Sequence, residues 1–172
     1  MQKFNKLSKY EGFDKSEALV METIFPTETT CNFDIIVGHS QGAILTAALL
    51  STQIRLRDLE HGPLGYILNG VAWPNPLSNS LLSLAQEPVA TDLLPKIAFV
   101  MGKADTINPI ESAVRVYDSY KAAGFDVSIV HHEAGHSVPQ GNDVDSIRAL
   151  NEVVNWIIDI AKEKAEKSKS EA

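Results

Sequence analysis

The chain has 172 residues, of which 44% are hydrophobic and 22% charged, and its formal net charge is −7. These values are typical of one folded domain with a substantial core. The acidic balance, without a dense stripe of Lys and Arg, argues against nucleic acid as a partner. We see no signal peptide and no run of about 18 apolar residues that would predict a membrane span. The single cysteine, Cys31, excludes an internal disulfide, so we expect a cytoplasmic protein.

Apolar runs and turn residues predict the first elements. A short helix is expected from Asp14 to about Thr23, followed by a loop from Phe25 to Thr30. The run Phe33–Val37 is almost continuously apolar, which is typical of a parallel strand covered on both faces. The helix after Ser40 should continue to about Leu50, with an outer limit at Arg57.

A second strand, Tyr66–Trp73, is expected to stop at Pro74 and Pro76. The segment from Pro74 to Leu94 is rich in Pro, Ser, Asn and Leu and has a candidate short helix at Leu81–Gln86. We expect this segment to lie above the sheet, where lids and substrate walls are usually built.

The second half of the chain continues the alternation. The predicted elements are a strand at Lys96–Gly102, a helix at Ile110–Ala123 ended by Gly124, a strand at Phe125–Val130 and a helix from Asp143 to about Lys164. The buried side of the last helix is expected to hold Ile147, Leu150, Val154, Ile157 and Ile158. A charged tail from Glu163 to Ala172 should fray. Strand and helix therefore alternate after residue 33, which predicts an α/β fold with a parallel sheet.

The sequence Gly38-His39-Ser40-Gln41-Gly42 lies between a predicted strand and a predicted helix. Strand, G-x-S-x-G and helix together are the signature of a nucleophile elbow, in which a strained turn exposes a serine hydroxyl. Because this turn is crowded, we expect Gly38 and Gly42 to be required for their lack of a Cβ. Ser40 is therefore the candidate nucleophile.

A serine hydroxyl needs a base, and the base needs an acid that orients it. Asp105 follows the third predicted strand and His136 follows the fourth, so both should lie at the same end of a parallel sheet as Ser40. The order Ser, Asp, His is the one typical of the elbow motif. The alternatives are that Asp105 only caps the next helix and that His136 is a structural loop residue.

We give other polar or aromatic residues near these positions structural interpretations. His39 is expected to be a packed neighbour of the site rather than a base, and Asp34 lies at the far end of its strand. His61 falls in a Gly-Pro loop and should be solvated. Trp73 is expected either to line an acyl pocket or to pack in the core, and Cys31 is expected to be a small buried residue.

The segment His132-Glu133-Ala134-Gly135-His136 also matches H-E-x-x-H, a zinc-protease motif. That chemistry needs both histidines on one face of a helix. Here a β-type run precedes the motif, Gly135 lies inside it and Pro139 follows it. We therefore expect no metal and no other cofactor.

The chain resembles the FSH-type (family serine hydrolase) members of the α/β-hydrolase superfamily. The blocks that match are residues 10–16, 33–43, 102–109 and 132–139, within a similarity from about Tyr10 to Ile158. The resemblance implies an α/β-hydrolase-like three-layer sandwich over residues 1–162, with residues 163–172 as the charged tail. It implies Ser40 as nucleophile, Asp105 as acid and His136 as base, and hydrolysis of small-molecule carboxylic esters or thioesters.

The sequence departs from this family pattern before the elbow. Relatives of this fold place a strand and a Leu-His-Gly-type loop there, and that loop supplies one oxyanion-hole N–H. The Gln41 N–H is expected to supply the other donor. We find no such strand or loop in this sequence, so we expect a hydrolase domain lacking its N-terminal strands, with an open apolar edge at Phe33–Val37.

Three functions follow from these observations. The first is a serine hydrolase acting through an acyl-enzyme, with activity lowered because an oxyanion donor is missing. The second is an inactive hydrolase-fold remnant that binds another chain at the open strand edge. The third, which the residues favour least, is a zinc metalloprotease.

Overall fold

The computed structural model describes residues 11–25, 31, 33–56, 62–75, 77–86 and 94–170. Helices and strands alternate along these residues. In chain order they are α1 (Phe13–Ile24), β1 (Ile35–His39), α2 (Gln41–Leu56), β2 (Gly65–Asn69), α3 (Ser78–Gln86), β3 (Lys96–Gly102), α4 (Ile110–Ala122), β4 (Val127–His132) and α5 (Val144–Ser170).

The strands form a four-stranded parallel sheet in the order β1-β2-β3-β4, as the sequence predicts. All the strands therefore end on the same side. We call the carboxyl ends of the strands, together with the loops that follow them, the carboxyl rim. We call the amino ends of the strands, together with the C-terminal end of α5, the amino rim. In the described sheet β1 is an outer strand, and its Val37 is 65% exposed.

Helices cover both faces of the sheet, because alternate strand residues point to opposite sides. On one face, residues of α2, α3 and α4 form the main core with Leu68 and Phe99. On the other face, Val153, Trp156 and Ile157 of α5 pack against a smaller cluster of strand residues. The predicted three-layer α/β architecture is confirmed.

The segment between β2 and β3 does not have the structure that we expected. Its helix, α3, packs in the helical layer beside α2 and α4, with Leu81 and Leu84 buried in the main core. The helix is therefore part of the crossover that joins two neighbouring parallel strands, and the prediction of a lid is wrong for it. Pro76 and residues 87–93 of this segment lie outside the described residues.

The last helix is longer than predicted and buries a different face. It runs to Ser170, so the residues at 163–170 are helical. Of the residues expected on its buried side, only Ile157 packs against the sheet; Ile147, Leu150, Val154 and Ile158 are 39–46% exposed. The apolar arc of α5 is wider than the sheet can cover, so periodicity alone did not identify the contacting residues.

Three strands also have boundaries that differ from prediction. β1, expected at Phe33–Val37, covers Ile35–His39. β2 ends at Asn69 because Gly70 turns the chain with a φ of 59°. β4 covers Val127–His132, so it ends closer to His136 than expected. Within the described ranges, none of the helices has the length and apolar character needed to cross a membrane.

Candidate active site

Ser40 joins β1 to α2 in a strained turn. Its φ is 55°, and it is the only residue other than glycine with a positive φ in the described part of the chain. Its N–H donates to the Asn69 carbonyl at 3.0 Å, and its own carbonyl accepts from the Ile44 N–H at 3.1 Å. A left-handed conformation costs a residue with a Cβ about 1–2 kcal/mol. These backbone bonds to β2 and α2 hold the turn in place.

The two glycines of the elbow have different roles. A Cβ at Gly38 would lie 2.7 Å from the Gly42 carbonyl oxygen and 2.8 Å from Thr46 Oγ1, so this position requires glycine. A Cβ at Gly42 would meet nothing within 4 Å among the described residues. The expectation of crowding at Gly42 is therefore wrong. The Gly42 backbone is what a side chain at Gly38 would clash with, but a side chain at Gly42 itself would have space.

Asp105 lies in the loop between β3 and α4, and its side chain is only 3% exposed. Its Oδ1 accepts hydrogen bonds from the backbone N–H groups of Ile107, at 2.9 Å, and Asn108, at 2.8 Å. Those bonds fix the carboxylate within its own loop and leave Oδ2 free to face another group. The first residue before α4 is Pro109, so Asp105 does not act as that helix's N-cap.

His136 connects the other two residues. Its Nδ1 lies 2.7 Å from Asp105 Oδ2, and its Nε2 lies 2.7 Å from Ser40 Oγ. With the Nδ1 proton donated to the carboxylate, Nε2 is left as an acceptor for the serine hydroxyl proton. The imidazole is 11% exposed, so little water competes for these bonds. The structure thus places the three predicted residues in one continuous hydrogen-bonded chain at the carboxyl rim.

The loop that carries His136 is held against the end of β3. A Cβ at Gly102 would clash with the Gly135 carbonyl oxygen, so the absence of a side chain there allows this approach. The Glu133 N–H donates to Asp145 Oδ2 at 2.7 Å, which ties the loop to α5. His132, at the end of β4, is 2% exposed, and burial lowers its pKa.

This loop also decides how the H-E-x-x-H segment is interpreted. His132 ends a strand and His136 lies in the turn that follows, so the two histidines do not share the face of a helix. A search of the described residues for three or more adjacent His, Cys, Asp or Glu side chains that would hold a metal ion found no such group. The segment has the geometry of a strand-to-loop junction.

Sequence reasoning missed Gly70, which lies directly beside the imidazole. A Cβ at this position would be 3.0 Å from His136 Cε1, and its φ of 59° also favours glycine. The Asn108 side-chain amide donates to the Gly70 carbonyl at 2.6 Å, which joins the β2 turn to the Asp105 loop. The sequence signal that could have identified Gly70 is a glycine directly after the apolar run of β2.

Two further residues, His39 and Asn69, adjoin the site. The His39 ring lies 5.1 Å from the His136 ring, which agrees with the expectation of a packed neighbour, although His39 is itself exposed. Its Nδ1 is 2.6 Å from Asn69 Nδ2, and the same amide nitrogen is 3.3 Å from the Ser137 carbonyl oxygen. Sequence reasoning gave Asn69 no role, since a single polar residue ending an apolar strand carries no motif.

Gln41 is the first residue of α2 and is exposed. No hydrogen-bond partner for its backbone N–H occurs among the residues that the structure describes. The start of a helix presents such N–H groups together with the positive end of the helix dipole, which favours an anion. This N–H therefore suits a developing negative charge next to Ser40.

The remaining candidates lie away from these contacts. Asp34 is at the amino rim and pairs with Lys164 at 2.6 Å. Trp73 is 8% exposed within the main core, where the guanidinium of Arg115 lies 4.0 Å from its ring centroid. Cys31 is only half-buried, contrary to expectation, and its thiol donates to the Phe33 carbonyl. His61 lies outside the described residues.

Comparison with known structures gives α/β-hydrolases. The chain is similar to Zea mays acyl-protein thioesterase 2 with a TM-score of 0.59 and 18% identity, covering 93% of this chain and 69% of that one. For the Paleococcus ferrophilus monoacylglycerol lipase the TM-score is 0.58 and the identity 13%, with coverages of 86% and 76%. For the Bacillus cereus carboxylesterase the values are 0.51 and 16%, covering 75% of this chain and 54% of that one. The chain thus spans about half the length of this carboxylesterase, and the likeness shows a shared fold.

A search of curated protein sequences gave no match. The sequence profile of the family described as Serine hydrolase (FSH1), by contrast, matches residues 1–146, which is most of the chain and includes Ser40, Asp105 and His136. The chain belongs to this serine hydrolase family.

Proposed function

We propose that this protein hydrolyses carboxylic esters or thioesters through an acyl-enzyme formed on Ser40. The observation that carries the proposal is the pair of 2.7 Å contacts that join Ser40 Oγ to His136 Nε2 and His136 Nδ1 to Asp105 Oδ2. The proposed nucleophile, base and orienting acid are in hydrogen-bond contact, which is the arrangement that acyl transfer requires.

In the first half of the reaction, Ser40 Oγ attacks the carbonyl carbon of the substrate while His136 Nε2 takes the hydroxyl proton. The carbonyl oxygen becomes an anion, and the Gln41 N–H is the donor placed beside it. Asp105 stays ionised and stabilises the imidazolium. His136 then gives its proton to the leaving alcohol or thiol as the carbon–leaving-group bond breaks, and Ser40 carries the acyl group.

In the second half, His136 Nε2 takes a proton from a water molecule, and the resulting hydroxide attacks the acyl carbon. Collapse of that intermediate breaks the bond to Ser40 Oγ, which recovers its proton from His136. The products are a carboxylic acid and the free enzyme. No metal or cofactor enters these steps.

The substrate class is proposed from the chemistry of this site together with the fold neighbours. A carboxylesterase and an acyl-protein thioesterase share the architecture, and both names denote acyl transfer to water. We expect a small-molecule ester or thioester as substrate. A cytoplasmic location stays a prediction from the sequence.

Slow turnover is part of the proposal. Among the described residues around Ser40, the Gln41 N–H is the oxyanion donor that we propose, whereas enzymes of this type use two. Loss of one donor typically lowers kcat by about 10²–10³. We therefore expect acylation of Ser40 by an activated acyl donor to be faster than turnover of the complete catalytic cycle.

A fluorophosphonate probe tests the nucleophile directly, because it forms a covalent bond only with an activated serine. The wild-type protein is expected to be labelled at Ser40, and Ser40→Ala should abolish labelling. Ser119→Ala, on α4, is the matched control and should label as the wild type does. A folded wild-type protein that takes up no probe would contradict the proposal and favour a binding protein built on a hydrolase fold.

A further inference from the structure

Asn69 stands out as a buried polar residue next to the catalytic contacts. It ends β2 opposite His39 of β1 and is 3% exposed. Its amide nitrogen is 2.6 Å from His39 Nδ1 and 3.3 Å from the Ser137 carbonyl oxygen. His39 directly precedes Ser40, and Ser137 directly follows His136. One side chain therefore connects the segment that carries the nucleophile to the segment that carries the base.

The contact with Ser137 fixes which atom of the amide faces which neighbour. A backbone carbonyl can only accept a hydrogen bond, so the amide atom facing it must be the NH₂ group. The same NH₂ group faces His39 Nδ1, which must then be the accepting nitrogen, with the ring proton on Nε2. Asn69 thus favours the His39 tautomer with its proton on Nε2.

The charge of His39 matters because its neighbour must become a cation during catalysis. The His39 and His136 rings are 5.1 Å apart, and Asp105 lies on the far side of His136. A protonated His39 would place a positive charge beside the imidazole that accepts the Ser40 proton. Its Nδ1–H would also oppose the amide NH₂ group. A neutral His39 leaves His136 free to take up the proton.

The remaining atom of the Asn69 amide adds no hydrogen bond to the fold. Its Oδ1 is buried and has no hydrogen-bond partner among the described residues. A buried acceptor without a partner destabilises a folded protein, and native proteins retain few of them. A residue that costs stability at the edge of a catalytic constellation is expected to serve function.

We infer that Asn69 is a positioning residue, and the inference rests on the proposed hydrolase function. Its amide holds Ser40 and His136 in register through His39 and Ser137, and it keeps His39 Nδ1 as the accepting nitrogen. It does not touch the reacting atoms. Its effect should therefore appear in kcat, with little change in substrate binding.

The kinetic test uses p-nitrophenyl butyrate with the wild type, Asn69→Ala and the isosteric Asn69→Asp, whose carboxylate cannot donate to the Ser137 carbonyl. Misplacement of a catalytic group by about 1 Å can cost about 10²-fold in rate, so we expect kcat to fall about 10- to 100-fold in both variants. KM should change by less than about threefold, and Asn69→Ala should remain folded at the assay temperature. The control Tyr120→Phe removes a buried hydrogen bond to the Ala47 carbonyl and should lower the melting temperature without changing kcat.

A double-mutant test with His39 distinguishes a positioning role of Asn69 from a general effect on packing. In a His39→Ala background, Asn69→Ala should lower kcat by a smaller factor than in the wild type, because one of the two contacts is already gone. A kcat within about twofold of wild type in both Asn69 variants, or a loss that merely follows a lower melting temperature, would overturn the inference.

A second readout does not depend on activity. Nitrogen-15 NMR of the histidine rings should find the His39 proton on Nε2 in the wild type and distributed between the Nε2–H and Nδ1–H tautomers in Asn69→Ala. A His39 proton on Nδ1 in the wild type would overturn the inference even if the enzyme is active. Failure of the wild type to hydrolyse esters or take up the fluorophosphonate would instead contradict the proposed function. The NMR result would still test whether Asn69 sets the tautomer of His39.

Discussion

At the carboxyl rim of the sheet, the side chains of Asp105 and His136 are 3% and 11% exposed, whereas at the amino rim those of Asp34 and Lys164 are 59% and 53% exposed. Both pairs are close, at 2.7 and 2.6 Å between their charged or polar atoms. Distance alone therefore does not distinguish them. They differ in how many other bonds fix each partner and how much water surrounds it.

The carboxyl-rim pair belongs to a network. Asp105 is held by two backbone N–H groups, and His136 also contacts Ser40. At the amino rim, Lys164 and Asp34 extend into solvent from α5 and from the residue before β1. Buried networks fix one geometry, while exposed pairs are screened by water and salt. The comparison teaches that the polar groups at the carboxyl rim are buried and fixed by several bonds, whereas those at the amino rim are solvated.

The largest expected effect comes from removing the charge of Asp105. Asp105→Asn should lower kcat/KM for an ester substrate by about 10⁴-fold at pH 7, because the amide no longer selects the tautomer of His136 that accepts the Ser40 proton. The matched control is Asp143→Asn. Asp143 also accepts a backbone N–H, that of Ser146 at 2.7 Å, but it lies at the start of α5. A loss of less than tenfold in Asp105→Asn, measured by initial rates, would break the comparison.

A smaller effect is expected from crowding the imidazole. In Gly70→Ala, the new Cβ would lie 3.0 Å from His136 Cε1, so the ring must move, which disturbs its contacts with Ser40 and Asp105. We expect kcat to fall by about tenfold, since a shift of a few tenths of an ångström is smaller than the roughly 1 Å that can cost about 10²-fold.

Gly141→Ala is the control for backbone strain. Gly141 has a φ of 72°, similar to the 59° of Gly70, but a Cβ there would meet Leu150 Cδ2 at an ordinary 3.7 Å. Both variants should lose about 1–2 kcal/mol of unfolding free energy from the left-handed backbone. Only Gly70→Ala should lose activity. Equal activity in the two variants would show that the close approach to His136 has no consequence.

The sequence predicted those features of the site that depend on neighbouring residues in the chain or on the direction of the strands. Ser40 could be located because the elbow needs a strand before it and a helix after it, and the structure has both. Asp105 and His136 could be placed at the same rim because parallel strands end on one side. Their contact distances could not be predicted, since these depend on how the loops after β3 and β4 pack on each other.

Features that depend on contacts between distant segments were missed. Asn69 and Gly70 gain their positions from β1 and from the His136 loop, and a single sequence does not specify those contacts. The crossover helix α3 was interpreted as a lid because its Pro- and Ser-rich flanks resemble an insertion, whereas Leu81 and Leu84 are core residues. On α5 the apolar arc is wide enough to offer two faces, and only packing against the sheet selects one.

The buried character of the carboxyl rim should also make stability depend on pH. Burial lowers the pKa of His132 below its ordinary value of 6.5, with Asp145 and Asp105 acting in the opposite direction. The unfolded chain then binds more protons than the folded one as the pH falls below about 6.5. This contribution to stability is present above that value and is lost as the pH falls towards the lowered pKa.

Urea unfolding between about pH 7.5 and 5 measures this dependence. The unfolding free energy of His132→Gln should fall less with decreasing pH than that of the wild type. Asp145 acts in a separate, more acidic window, because hydrogen bonds from Arg148 lower its pKa below 3.8. Parallel pH curves for the wild type and His132→Gln would show that the buried histidine is not the group responsible.

The smallest effect is expected at the amino rim. Lys164→Ala breaks the pair with Asp34, and because both side chains are more than half exposed, the loss of unfolding free energy should be under about 1 kcal/mol and should shrink in high salt. The control Lys162→Ala removes a pair with Asp159 that lies entirely within α5, so it reports the effect of alanine on the helix alone. Ester hydrolysis should be unchanged in both. A loss well above 1 kcal/mol in Lys164→Ala alone, insensitive to salt, would mean that the link between α5 and the start of β1 is structural. The two rims would then differ in chemistry but not in how firmly their polar groups are fixed.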